Sequence, residues 1–254
     1  MSGWRTGLRA VALGAALPAA LLLLWQVAAD QRWIDPLFYP PPSRILDRTF
    51  DQVADGSLLT DTWITTRRLL LGFVLGAAPG IAAGLGAGVW RAFRETIYPL
   101  ASALYVVPRI AMLPLVLVAF SIGDEARVFM VAFSVFFIAF FSALSGAEQV
   151  SQRYLDVARA FGASRARTIA RVVLPGAAPS IATGLQVAMG FALIVIVGTE
   201  FLAANTGLGA RIWTSYQVFD FPSMYAGIVG VTVLGVVLNY VILAGKRWLV
   251  PWQR

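Results

Sequence analysis

The 254 residues contain no cysteine and no histidine. Thiol nucleophiles, disulfides, imidazole acid–base chemistry and zinc sites built on these ligands are therefore excluded within this chain. What remains is ionic chemistry, carried by 13 carboxylates and 20 Lys and Arg, with a net charge of +7. The densest charged stretch is DVARAFGASRARTIARVVLPGAAPSI, Asp156 to Ile181. Asp156, Arg159, Arg165, Arg167 and Arg171 can pair with opposite charges on another surface. Gly162 can take φ > 0 or admit a close approach, turning the chain sharply. Pro175 and Pro179 lack backbone donors and predict a helix break before the next apolar stretch. The expected product is a stiff, bent lever. The four arginines fit two uses equally: docking on partner carboxylates, or anchoring at anionic lipid for about 1 kcal/mol each.

The elements that must hold this segment are membrane spans. The chain is 59% hydrophobic and 13% charged, about half the charge of a soluble domain. Six apolar runs are present: Leu8–Ala29, Leu69–Trp90, Thr96–Gly123, Val128–Ala147, Val172–Thr199 and Phe221–Gly245. Each reaches the ~20 residues that a spanning helix needs, and none alternates like the strands of a membrane barrel. The class is an all-α integral membrane protein. The charged segment cannot lie in hydrocarbon, because its charges would be stranded there, so it sits at a membrane surface.

Six spans put both termini on one side. That side carries Arg5, Arg9, Arg91, Arg94, Arg153, Arg159, Arg165, Arg167, Arg171, Lys246, Arg247 and Arg254. The other carries Arg32, Arg44, Arg48, Arg67, Arg68, Arg127 and Arg211. The richer side is cytoplasmic by the positive-inside rule, and this also accounts for the net charge without nucleic acid. Arg67 and Arg68 sit on the disfavoured side, where they can cap a helix lying in the outer interface. The first run also fits a cleavable signal peptide ending near Val27-Ala28-Ala29; retention as a span is the expectation. The organisation is then a first transmembrane helix (1–29), an external elbow (30–68) and a five-helix core (69–254) with a cytoplasmic loop at 148–180. In the elbow, DPLFYPPPSRIL forces an extended turn, and Ser43 is placed as N-cap of a short helix through Phe50.

Within the spans, Gly72, Gly76, Gly80, Gly84 and Gly88 recur every four residues. They form one groove into which a neighbouring backbone can pack closely, either statically or as a face along which helices rock. Pro79 adds a local bend. Arg109 lies between Pro108 and Pro114, which suggests a broken helix lining a cavity. A charge at bilayer centre costs about 3 kcal/mol or more. Arg109 is either a station for an anionic substrate, or, as favoured, an internal ion pair or a snorkelling side chain. Glu200 is the acid near the end of the fifth span. It can pair with Arg109 or an outer-loop arginine, or line the outer mouth. Asn239 is expected to make an interhelical hydrogen bond.

The charged loop resembles the cytoplasmic signature of permease subunits of binding-protein-dependent ABC importers. That signature reads Glu-Ala-Ala, three residues, Gly, nine residues, Ile, one residue, Leu-Pro. Here Asp156-Val157-Ala158, Gly162, Val172 and Leu174-Pro175 stand at those positions with unchanged spacing. DPLFYPPPSRIL, VVPRIAMLPLVLVAFSIGDEAR, LPGAAPSIATGLQVAMG and TEFLAANTGLG are similar to the nitrate/sulfonate/taurine branch. The resemblance implies a type I ABC importer permease fold with about six transmembrane helices in the inner membrane. It implies a homodimer, two ATPase subunits that bind ATP and Mg, and an external solute-binding protein. It further implies that Ala158 to Arg167 form a coupling helix, with Asp156, Val157, Ala158, Arg159, Phe161, Gly162, Ala163, Ser164, Leu174 and Pro175 in the coupling region. Substrates of the branch are small organic or inorganic anions; an organosulfonate such as taurine is favoured, with nitrate or a pyrimidine precursor as alternatives.

The chain has no GxxxxGK[ST] phosphate loop, so the motor must be another polypeptide, and no cofactor or metal is expected in the chain itself. An intramembrane enzyme would need convergent nucleophiles or ligands that the composition lacks. An ion-coupled secondary carrier is the alternative; such carriers usually show repeats and intramembrane carboxylates, and only Glu200 would serve.

Overall fold

The structure, a computed structural model, describes residues 3–120 and 123–249. Every regular element among them is helical. Arg254 and the side chains of Arg5 and Arg9 lie outside the described residues.

Helix α1 (Gly3–Asp30) leads through a turn into the short α2 (Pro42–Ala54). Among the described residues, four helices are long and apolar enough to cross a membrane: α3 (Ser57–Val89), α6 (Asp124–Glu148), α9 (Leu174–Ala203, continued back to Arg165) and α11 (Phe221–Leu249). The run 96–123 is a bent pair: α4 (Arg91–Val106), then a 3-10 turn and α5 (Leu113–Phe120), meeting at 86°. The break falls at Pro108–Arg109, as the two prolines suggested. The remaining run lies on α1. Short helices α7 (Gln152–Ala160) and α8 (Arg165–Thr168) join α6 to α9, and α10 (Leu208–Gln217) joins α9 to α11.

The centre is α3 against α6. The bent pair returns the chain between them, so they run parallel. The glycine groove accepts α6: Gly72 faces Val128 and Val131, Gly76 faces Ala132, Gly80 faces Phe136 and Ala139, and Gly84 faces Phe140. A Cβ at Gly80 would lie 2.5 Å from the Phe136 carbonyl oxygen, and one at Gly72 2.6 Å from the Val131 Cβ. With lipid on both sides of the balance, such close backbone contact supplies the dispersion that holds the helices. Antiparallel α9 repeats the device: Gly146 meets Ala177, and Gly184 meets Ser142. Helix α11 covers α9, where Gln186 Nε2 donates to Asn239 Oδ1 at 3.3 Å, the expected interhelical bond.

The structure corrects three local expectations. First, Arg67 and Arg68 do not cap an interfacial helix. α3 begins at Ser57, so both lie inside it, and Arg68 is buried because partners satisfy its charge. Second, Ser43 is not an N-cap. The helix starts at Pro42, whose ring needs no donor there. Gln26 of α1 caps it instead, accepting from the Ser43 N–H at 3.0 Å and donating to its hydroxyl at 3.1 Å. Third, Pro175 and Pro179 do not break the helix. A wide π-type turn at Ile169–Val173 precedes Pro175, so residue 175 is not asked to donate to residue 171. Helix then runs on through Ala203.

Helix α2 is fastened to α11. Arg48 Nε and Gln52 Nε2 each donate to Ser223 Oγ at 2.8 Å, and Arg48 pairs with Asp220 at 3.4 Å. Burial pushes the Asp220 carboxyl up, but the Ser223 hydroxyl and N–H, helped by Arg48, hold it below the usual range.

Candidate functional site

At the end where α6 stops, α7 and α8 stand out from the bundle. Clefts of about 790 Å³ and 510 Å³ lie on either side of them, the first against the α3–α4 turn. The sequence Phe161-Gly162-Ala163-Ser164 builds the corner. The Ala163 N–H donates to the Ala158 carbonyl and the Gly162 N–H to the Arg159 carbonyl, both at 2.9 Å. This is a Schellman motif with Gly162 at the left-handed position, φ +68°. Two residues on, Ser164 caps α8 by accepting from the Arg167 N–H at 3.4 Å. The expected single helix over 158–167 is therefore two helices around a locked corner. The positive φ of Gly162 ends α7, and the Ser164 cap starts a new axis.

The corner presents apolar surface. Phe161 is 87% exposed, and Val157 and Tyr154 are exposed beside it; only Ala158 turns inward. An uncovered phenylalanine on a charged projection marks a contact surface. Asp156 and Arg159 pair with each other at 3.0 Å, both in solvent. Leu174 and Pro175 belong to the first turn of α9 rather than to the corner.

The opposite end carries a buried ionic cluster in which Glu200 takes an outer-loop arginine, one of the two partners expected for it. Glu200 is fully buried and does not meet Arg109. Its Oε1 takes Arg68 Nη1 at 2.8 Å; its Oε2 accepts from Thr65 Oγ1 at 2.8 Å and the Gly209 N–H at 3.1 Å. Arg68 also pairs with Asp124 at 2.6 Å and donates to the Thr206 carbonyl at 2.8 Å. Asp61 accepts from the Gly207 N–H at 2.9 Å and pairs with Arg211 at 2.6 Å. Arg127 donates to the Gly123 carbonyl at 2.7 Å and to the Ala203 carbonyl. The cluster clamps the 204–209 connection onto α3, α6 and α9. Gly207, at φ +104°, has no room for a Cβ beside the Glu200 carboxylate. Arg109 sits at the α4–α5 break, 5.0 Å over the Tyr105 ring and with its Nη2 3.3 Å from the Tyr105 carbonyl.

The projecting, capped corner lies where the loop signature falls, and comparison with known proteins decides the family. Residues 80–254 match the binding-protein-dependent transport system inner membrane component. The chain belongs to that family. The taurine transport system permease protein TauC of Escherichia coli (strain K12) is 31% identical over 256 residues, 98% of this chain and 93% of that protein. The putative aliphatic sulfonates transport permease protein SsuC of Bacillus subtilis (strain 168) is 27% identical, covering 99% and 88%. The bicarbonate transport system permease protein CmpB of Synechococcus elongatus is 27% identical, covering 97% and 92%. These relatives place the permease in the nitrate/sulfonate/taurine branch. In fold, it superposes on a chain of the MetNI methionine ABC transporter in an inward-facing conformation, TM-score 0.68 and 16% identity, over 78% of this chain and 98% of that one.

Proposed function

We propose that this permease is the membrane path of an ATP-driven importer for a small anion, an organosulfonate such as taurine being favoured. It acts as a homodimer with two ATPase subunits, which bind the ATP and Mg, and receives substrate from an external binding protein. Both termini face the cytoplasm. The observation that carries the reading is the corner at Gly162: a rigid helix–helix junction with an exposed phenylalanine at its tip, set on the arginine-rich side of the membrane. A push on such a corner reaches α9 without bending, because α8 continues through the π-type turn into that span. The substrates for which the relatives are named, taurine, aliphatic sulfonates and bicarbonate, support an oxyanion.

The test separates geometry from side-chain loss. Gly162→Val forces a β-branched residue to positive φ, costing about 1–3 kcal/mol, whereas Gly162→Asn keeps a residue that tolerates it. In proteoliposomes with the ATPase and binding protein, Gly162→Val should abolish substrate-stimulated ATPase and taurine uptake, and Gly162→Asn should retain most of both. Normal coupling in Gly162→Val would remove the assignment.

A further inference from the structure

One face of the bundle holds hydroxyls with nothing to donate to. Every threonine in the spans α3, α4, α6, α9 and α11 donates to a protein acceptor: Thr60, Thr62, Thr66, Thr96, Thr183, Thr199 and Thr232 to backbone carbonyls, and Thr65 to Glu200. Ser134 does the same. Four serines do not. Ser102 on α4, Ser142 and Ser145 on α6 and Ser180 on α9 donate to no acceptor among the described residues; Ser145 and Ser180 only accept, from Gln149 at 3.2 and 3.4 Å. All four line two adjoining clefts of about 580 and 450 Å³ that share the Phe141–Ser142 wall. These serines are half-buried or exposed, so their hydroxyls are within reach of a ligand that enters the groove.

The acids one helical turn beyond the groove, Glu148 and Glu95, are each paired with an arginine, Arg94 and Arg91. No carboxylate lines either cleft. At one end Lys246 Nζ lies 3.1 Å from the Thr183 hydroxyl; at the other, Arg109 stands over Tyr105, a residue of the groove, and makes no ion pair among the described residues. A wall of hydroxyl donors with no carboxylate in its lining, and with cations near both ends, suits a small oxyanion and disfavours a cation. Apolar Phe141 and Val187 between the serines leave contact weak enough for release.

We propose that the α4–α6–α9 groove is a site for a small sulfonate-type oxyanion, with Ser142 and Ser145 as its central donors. This rests on the importer reading only for the direction of transport; the site itself is a property of the permease. The chain has no cysteine, which makes a direct test clean. Ser142→Cys, Ser145→Cys and Ser180→Cys are made singly in the full chain. The purified protein is then reacted with 2-sulfonatoethyl methanethiosulfonate and with its trimethylammonioethyl counterpart. Free 2-mercaptoethanol sets the intrinsic rate ratio, and Val241→Cys on the outward face of α11 is the control.

The groove cysteines should favour the anionic reagent by about tenfold over the intrinsic ratio. Methanesulfonate should slow that reaction, while sodium chloride at equal ionic strength should not, and Val241→Cys should show neither effect. If Ser142→Cys fails to fold beside Gly184, Ser145→Cys and Ser180→Cys carry the same test. Intrinsic ratios at the groove positions, or no protection by methanesulfonate, would overturn the site. Anion preference without ATP-driven uptake in the reconstituted complex would keep the site and sink the importer reading.

Discussion

Arg68 and Glu200 illustrate what a buried charge demands. Glu200 has no exposed surface, yet it receives a guanidinium, a hydroxyl and a backbone N–H. Removing one partner of such a pair strands the other, at about 3–5 kcal/mol. Arg68→Met should therefore sharply lower the melting temperature of the purified permease, and Arg68→Met/Glu200→Leu should recover much of the loss. Equal loss in single and double variants would show that the pair is not coupled. Each member was visible in the sequence, Glu200 as the acid at the end of an apolar run and Arg68 at the start of another. An outer-loop arginine is an expected partner of Glu200, but the sequence does not select Arg68 among them, because hydropathy begins the span at Leu69 and places Arg68 outside it. Hydropathy averages cannot see that Asp124, Thr65 and the 206–209 backbone converge to keep α3 helical through two arginines.

At the scale of elements, periodicity was the reliable guide. Five glycines at a spacing of four identified the α3 groove, and the structure fills it with α6 within the same chain. Gly80→Leu should overpack this seam by about 1–3 kcal/mol or more, measured as lost thermal stability with the family fold's other helices unaltered; wild-type stability would show that the two helices have slack between them. The turn within Asp156–Pro175 is legible in the sequence, and its two-helix shape is not. Gly162 takes the positive φ that its residue type allows, and Ser164, two residues later, is the signal of a second helix start. The prolines misled because their cost depends on the turn before them. A π-type turn leaves no sequence mark that a rule on proline could use.

At the scale of the molecule, two ends of different character are joined by parallel and antiparallel spans packed on glycine. One end is clamped by ion pairs from α3, α6, α9 and the 204–211 connection. The other carries the corner and the groove's opening. Under the proposed function, this polarity would set a rigid end towards the binding protein and the projecting corner towards the motor. Class and family were readable from composition and the loop signature. The groove was not, since serines on three separate helices share no sequence neighbourhood.

The account turns on the corner at Gly162 being the ATPase contact on the cytoplasmic face. Ala160 is exposed beside it, and a single Ala160→Cys in the cysteine-free chain reports on it directly through a membrane-impermeant maleimide. The thiol should be labelled in inverted vesicles lacking the ATPase, protected when the ATPase is co-expressed, and silent from outside in intact cells with a permeable outer layer. Labelling from outside, or labelling indifferent to the ATPase, would contradict it.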